Sequence, residues 1–240
     1  MSQLKKPHIL YHNFTFALLL LLFAFLSHIA LGILDNYLAN ALSILALGLL
    51  LFTLRKHSNK LFLIALTFLF AIAFSYIPSG ILYGPASIGV IASVYETNFS
   101  ETLGFLRAMP SSIYIFILVY FLLFIILLFV NRHITPNKNN TSKYYFIYFI
   151  ILVFSLYQPV SKEITNTDKE KEFSIADFFK ASDFYPVSFI ANTLKVNHTY
   201  LTQRDLLNDA LTKTPEWNIL SVEPKYQNYV LIIGESMRRC

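Results

Sequence analysis

Apolar residues run through this chain in long unbroken blocks, and the blocks set the first expectation. Five of them approach the roughly 20 residues that a helix needs to cross the apolar part of a bilayer. They are Thr15 to Leu34, Tyr37 to Leu54, Leu61 to Ile77, Ser112 to Val130, and Tyr144 to Val160. The first exceeds the roughly 7 to 15 apolar residues of a signal peptide and no A-x-A-like cleavage site follows it, so it reads as a retained helix. Single polar residues inside the blocks, such as His28 and Ser43, stand out because polar groups are costly in lipid. For His28 an interhelical hydrogen bond is the favoured role, ahead of a part in chemistry.

Between the third and fourth blocks the pattern changes. The stretch from Pro78 to Pro110 begins "PSGILYGPASIGVIAS", which is apolar but interrupted by Pro78, Gly80, Gly84 and Pro85. It is expected at the outer membrane surface or dipping back in, where protein or water must cover irregular backbone. Its second half, "YETNFSETLGFL", reads as a helix start, with Asn98 and Glu101 at N-cap and N3 in a variant of the capping box.

Beyond the fifth block comes the charged run "SKEITNTDKEKEF", then "FSIADFFKASDFY". The latter sets Ile175, Phe178 and Phe179 on one side at helical spacing, with Ser174 and Asp177 as an N-cap and N3 pair. Such an aromatic amphipathic segment is expected to rest in the interface plane as far as Pro186; a soluble helix packed on a further domain is the alternative. From Asn197 to Tyr226 the chain is polar, with short helical pieces such as "TQRDLLNDALTK". Tyr229 to Ile233 is a β-branched, aromatic and aliphatic run with the character of a buried strand, followed by Gly234, Glu235 and Ser236. The organisation that follows is a five-helix transmembrane domain over 1–160, with an outer-face loop at 78–110. An interfacial helix and polar linker occupy 161–226, and 227–240 opens a further domain.

Composition agrees with a lipid environment: of 240 residues, 55% are hydrophobic and only 14% charged. The formal charge of +5 gives no nucleic-acid patch, because the basic residues cluster at the ends of apolar blocks and act as a topology signal. Lys5, Lys6, Arg55, Lys56, Lys60, Arg132, Lys138 and Lys143 lie in three connecting segments that hold no acidic residue. The opposite connections carry Asp35, Glu96 and Glu101 against Arg107 alone. The positive-inside rule therefore expects a cytoplasmic N-terminus, and five crossings put the C-terminus outside, in a bacterium the periplasm. The single cysteine, Cys240, cannot form an internal disulfide and says nothing of redox compartment.

The terminal "VLIIGES" admits three kinds of chemistry. A nucleophile elbow needs G-x-S-x-G, and Arg238 fills the second glycine position, where a tight approach of strand and helix leaves no room for it. A phosphate-cradling loop needs a second glycine and G-K-[ST], which are missing. A metal site remains, with Glu235 as a carboxylate at the carboxyl end of a strand.

Five spans followed by "YVLIIGESMRR", together with the outer-loop "ETNFSE" of Glu96 to Glu101, resemble the bacterial lipopolysaccharide phosphoethanolamine transferases of the alkaline-phosphatase and sulfatase superfamily. The resemblance implies an α-helical polytopic membrane protein of the inner membrane, leading into an α/β sulfatase-like catalytic domain of which this chain holds the first strand. It implies transfer of phosphoethanolamine from phosphatidylethanolamine to lipid A or a lipopolysaccharide core sugar, through a zinc-activated threonine. Glu235 matches a zinc ligand. Thr97 and Glu101, with Glu96 beside them, match the residues that hold the substrate head group, and a carboxylate near an ammonium gives charge-assisted pairing. Thr97 and Glu101, four apart, are expected on one helix face, although capping alone accounts for Glu101.

The family's nucleophile and its other zinc ligands lie beyond residue 240. The expectation is therefore a truncated transferase with no catalytic residue of its own, inactive alone and not holding zinc, since one carboxylate does not make a site that ordinarily takes three or four protein ligands. A separate chain could complete the catalytic domain. The rival expectation is a non-catalytic membrane protein that docks lipid or assists assembly through the 78–110 loop and the interfacial helix.

Overall fold

The computed structural model describes residues 6–33, 36–133, 142–165 and 174–212, and these are almost entirely helical. In chain order the helices are α1 (Lys6–Ala30), α2 (Tyr37–His57), α3 (Asn59–Tyr83), α4 (Ile88–Glu96), α5 (Phe99–Ala108), α6 (Ser111–His133), α7 (Ser142–Thr165), α8 (Ile175–Lys180) and α9 (Tyr185–Thr212). Five of them, α1, α2, α3, α6 and α7, are long and apolar enough to cross a membrane, as the five blocks predict, and they make this a multi-pass membrane protein. No strand occurs among the described residues. The strand expected at Tyr229 to Ile233, and with it the α/β domain, lies outside the described residues. The chain divides into two units, Met1–Gln203 and Arg204–Cys240; of the second, residues 204–212 are described and are helical.

Within the first unit, α1 lies against α2, α3 and α6, while α7 packs on α2 and α8. Phe16, Leu20, Phe23, Ala24 and Ser27 of α1 are buried at intervals of three and four residues, the spacing of one helix face. Lipid tails are as apolar as leucine, so this bundle cannot rest on the hydrophobic effect and depends on close packing and interhelical hydrogen bonds. Ring stacking supplies part of it. Phe23 stacks on Tyr120 at 5.4 Å between centroids, Tyr120 on Phe70 at 5.4 Å, and Phe70 on Phe124 at 3.9 Å, tying α1, α6 and α3 together. The Tyr120 hydroxyl shares a hydrogen bond with Ser27 Oγ at 2.8 Å.

Helix α3 runs six residues past the expected end at Ile77. Pro78 lies inside it, as membrane helices allow where surrounding groups can re-satisfy the freed backbone. The true break is Gly84, at φ 77°, whose N–H bonds to Gly80 O at 3.0 Å, a glycine helix stop. Tyr76 donates its hydroxyl to Gly84 O at 3.0 Å. Thus "PSGILY" finishes a span and only "GPASIGVIAS" leaves it. Gly80 and Gly32 are required where α3 passes the end of α1. A Cβ on Gly80 would sit 2.0 Å from Ala30 O, and one on Gly32 would sit 2.5 Å from Gly80 O.

At the opposite end of the bundle a buried polar knot joins four helices. Arg55, 1% exposed, donates from Nε to Asn131 Oδ1 at 2.6 Å and lies over the Phe16 ring at 4.1 Å. Asn131 donates onward to Asn59 Oδ1 at 2.9 Å, and Lys56 Nζ reaches Asn13 Oδ1 at 3.2 Å.

The segment joining α8 to α9 is a finding that the sequence pattern did not carry. Helix α8 opens as expected, Ser174 Oγ accepting the Asp177 N–H at 3.4 Å. It ends at Lys180, before Pro186, and Pro186 stands in the first turn of α9, where proline fits without loss. Phe184, Tyr185 and Phe189 belong to the core of the bundle. Tyr185 N–H is accepted by Ser43 Oγ of α2 at 2.8 Å, Tyr185 O–H donates to Ala24 O of α1 at 3.0 Å, and Ser182 Oγ donates to Ser155 O of α7 at 2.7 Å. The start of α9 is thus plugged among three spans by polar bonds that lipid could not replace. His28 meets this plug edge-on, its ring 4.7 Å from that of Tyr185. Its buried ring nitrogens face the Asn40 side chain of α2 and the Ile33 backbone, so a polar group of a second helix stands where the interhelical hydrogen bond was expected, beside the aromatic contact.

Candidate functional site

The motif Glu96 to Glu101 forms the corner between α4 and α5. Glu96 is the last residue of α4, Thr97 caps that helix with its N–H on Ser93 O at 3.0 Å, and Asn98 begins α5 as its N-cap. The corner forms because Asn98 and Glu101 satisfy each other's orphan amides. Glu101 N–H donates to Asn98 Oδ1 at 2.9 Å and Asn98 N–H to Glu101 Oε2 at 3.4 Å, a full capping box. Asn98 Nδ2 also donates to Glu101 Oε1 at 3.0 Å. Thr97 stands before the N-cap, outside α5, so it and Glu101 do not share a helix face. Spacing of four implies a shared face only inside one helix, and here a cap falls between the two residues.

All three predicted head-group residues are exposed, but they are not equivalent. Both carboxylate oxygens of Glu101 are engaged in its own cap. Glu96 is held differently, accepting from the Tyr200 hydroxyl of α9 at 3.1 Å through Oε1. That bond belongs to a wider seam between the corner and α9. Tyr95 stacks on Tyr200 with centroids 5.2 Å apart and donates its hydroxyl to Asn197 Oδ1 at 3.0 Å. Asn192 Nδ2 donates to Ala86 O at 2.8 Å, and Phe189 packs edge-on against Tyr76 at 5.0 Å.

Tyr95, Asn192, Asn197 and Tyr200 were invisible to sequence reasoning, which took the region from Asn197 onward as short helical pieces. Asn197 to Thr212 belongs instead to one long helix, α9, and residues 213–226 lie outside the described residues. The signal was there, since Phe189, Asn192, Val196 and Tyr200 fall at i, i+3, i+7 and i+11, a stripe of one helix face. The stripe mixes polar with aromatic residues and so escapes a hydrophobic criterion.

The described residues thus bring the Glu96 carboxylate, held through Oε1 by Tyr200, to the end of the bundle remote from the Arg55 knot. The chain is similar to a phosphoethanolamine transferase. It is 27% identical over 170 residues to the phosphoethanolamine transferase OpgE of Escherichia coli (strain K12), across 70% of this chain and 30% of that protein. The similarity suggests the phosphoethanolamine transferase family and is silent on the acceptor. No family model and no solved structure matches the chain.

Zinc, which the resemblance implies, finds no fit among the described residues. No three His, Cys, Asp or Glu side chains come together there in a way that could hold a metal ion. Glu235, the expected ligand, lies outside the described residues. No chemical step is therefore assigned to a metal here.

Proposed function

We propose that this chain is the membrane part of a phosphoethanolamine transferase of the bacterial inner membrane, and that its own described residues hold the donor lipid, phosphatidylethanolamine. The similarity to OpgE over 170 residues carries the reading. The N-terminus and the Arg55 knot face the cytoplasm, and the α4–α5 corner faces the periplasm at the level of the outer-leaflet head groups. The acceptor is lipid A or a lipopolysaccharide core sugar, which lies on that side of the membrane.

Glu96 is the head-group residue, in preference to Glu101. An ethanolamine ammonium has three N–H donors and needs a carboxylate with an oxygen to spare. Glu101 spends both oxygens on Asn98, whereas the bond from Tyr200 engages Glu96 through Oε1 and Oε2 is left for the ligand. Thr97, exposed between the two helices, contributes a hydroxyl beside it. Zinc and the residues of the transfer step belong to the catalytic machinery that receives the head group.

Photoreactive phosphatidylethanolamine in vesicles containing the purified chain tests the reading. Cross-links should concentrate in the peptide holding Glu96 to Glu101, with unlabelled phosphatidylethanolamine competing and phosphatidylglycerol not competing. Equal competition by the two lipids, or labelling spread evenly over the spans, would overturn it in favour of a docking or assembly role without head-group recognition.

A further inference from the structure

We infer that Tyr200 is a positioning residue for head-group selection, fixing the Glu96 carboxylate so that one oxygen faces the lipid; this rests on the reading of Glu96 given above. A glutamate at the last position of an exposed helix has three rotatable bonds and samples many arrangements. Ordering such a side chain costs up to about 2 kcal/mol when it is done at the moment of binding. In this protein the ordering is done beforehand. The Tyr200 hydroxyl, carried on α9, donates to Glu96 Oε1 at 3.1 Å, and Tyr200 is itself only 6% exposed. Its ring is clamped by the stack on Tyr95 at 5.2 Å. Tyr95 is anchored in turn to Asn197 at 3.0 Å.

The base of this support reaches into the bundle. Tyr200 lies fifteen residues along α9 from Tyr185, whose backbone N–H is held by Ser43 and whose hydroxyl is held by Ala24. The helix that aims Glu96 is therefore rooted at the core of the membrane domain, and the corner's position is not left to the exposed loop alone. A carboxylate held this way presents a fixed oxygen to a primary ammonium, which can donate to it. A trimethylated ammonium cannot donate and gains little from the fixed geometry. The consequence is selectivity between head groups, beyond affinity for lipid in general.

The experiment uses the 240-residue protein in nanodiscs, titrated with dioleoyl phosphatidylethanolamine and with dioleoyl phosphatidylcholine, which differ only in the ammonium. The ratio of the two affinities is the readout, because a general loss of packing weakens both and leaves the ratio unchanged. Glu96→Gln should reduce the ratio to near one. Tyr200→Phe, which keeps the ring and its stack, should reduce it about tenfold, the lower end of the loss expected of one hydrogen bond to a charged group. Tyr95→Phe removes a bond from the same seam without touching Glu96 and should lower the ratio much less than Tyr200→Phe does.

Loss of selectivity in Glu96→Gln with full selectivity in Tyr200→Phe would overturn the positioning role and leave the Glu96 reading standing. An equal loss in Tyr95→Phe and Tyr200→Phe would also overturn it, by showing that the seam only braces the loop. An unchanged ratio in Glu96→Gln would overturn both.

Discussion

Gly80 offers the sharpest test of how the bundle is held, because its cost can be worked from distances. A methyl group there would lie 2.0 Å from Ala30 O and 2.8 Å from Ala30 C. Ordinary contact begins near 3.4 Å, so α3 and the end of α1 must part by more than an ångström, and the obstructing atoms are backbone. Overpacking of this kind costs typically 1 to 3 kcal/mol. Gly80→Ala should therefore destabilise the protein by about 2 kcal/mol, despite alanine's better helix propensity.

Two controls on other helices fix the interpretation. At Gly48 the same methyl meets the end of the Leu21 side chain at 2.6 Å, which can rotate away, so Gly48→Ala should be near neutral. At Gly104 nothing lies within 4 Å, and alanine there should stabilise by about 0.5 to 1 kcal/mol. Equilibrium unfolding in mixed detergent micelles, followed by circular dichroism, ranks the three. The reasoning fails if Gly80→Ala is as stable as Gly48→Ala. The same substitution should lower the head-group selectivity ratio, since Gly80 and Gly84 set where α3 stops and the α4–α5 corner begins.

Other parts of the structure yield independent expectations. Asn131→Ala removes the acceptor of the buried Arg55 Nε and should cost about 2 kcal/mol in the same unfolding assay, with Asn59→Ala costing less because that side chain is bonded to Asn131 and not to the charge. Asn98→Ala deletes the capping box and should cost about 1 kcal/mol, seen as faster hydrogen exchange at the Glu101 amide with the spans unaffected. Burial pushes the Tyr185 hydroxyl well above the ordinary tyrosine range. The unfolded chain therefore loses that proton first, so stability should be level below about pH 10 and fall above it, with Tyr185→Phe removing part of the fall. An alkaline phosphatase reporter joined after Thr165 should be active, and one joined after His57 inactive; the reverse pattern would invert the proposed orientation.

The spans were legible because their signal is summed over some twenty residues and no single one decides it. Caps were legible too, since Asn98 with Glu101 and Ser174 with Asp177 are local chemistry between near neighbours. What the sequence hid depends on partners distant in the chain. Pro78 and Gly80 look like breaks in a helix until Ala30 is known to lie against them, and then Gly80 is the residue that lets the helix continue past it. Tyr185 looks like part of a surface helix until Ser43 and Ala24 take up its polar groups. Of the proposed head-group residues, the motif pointed to Glu96, Thr97 and Glu101 together; only geometry separates a carboxylate consumed by its own cap from one held by a neighbouring helix.

On the proposed reading, the membrane domain contributes to transfer without touching the reacting bond. A lipid in the outer leaflet rotates and diffuses freely, and its head group is attached to the glycerol by flexible bonds. Holding the ammonium at one fixed oxygen removes much of that freedom before any chemistry begins, and pre-paid orientation of this kind is among the larger contributions to a reaction between bound groups. It works only if the holding group is itself immobile. Exposed corners between short helices are poor supports, and α4 and α5 together have one buried side chain, Val90. The seam to α9 supplies the rigidity the corner lacks, and the plug at Tyr185 supplies it to α9. A double substitution of Ser43→Ala with Tyr185→Phe loosens that root some distance from Glu96. It should lower head-group selectivity while leaving the α5 capping box intact, as judged by unchanged exchange at the Glu101 amide. Retained selectivity in that variant would mean that the corner orders itself, and that the buried root of α9 serves the stability of the bundle alone.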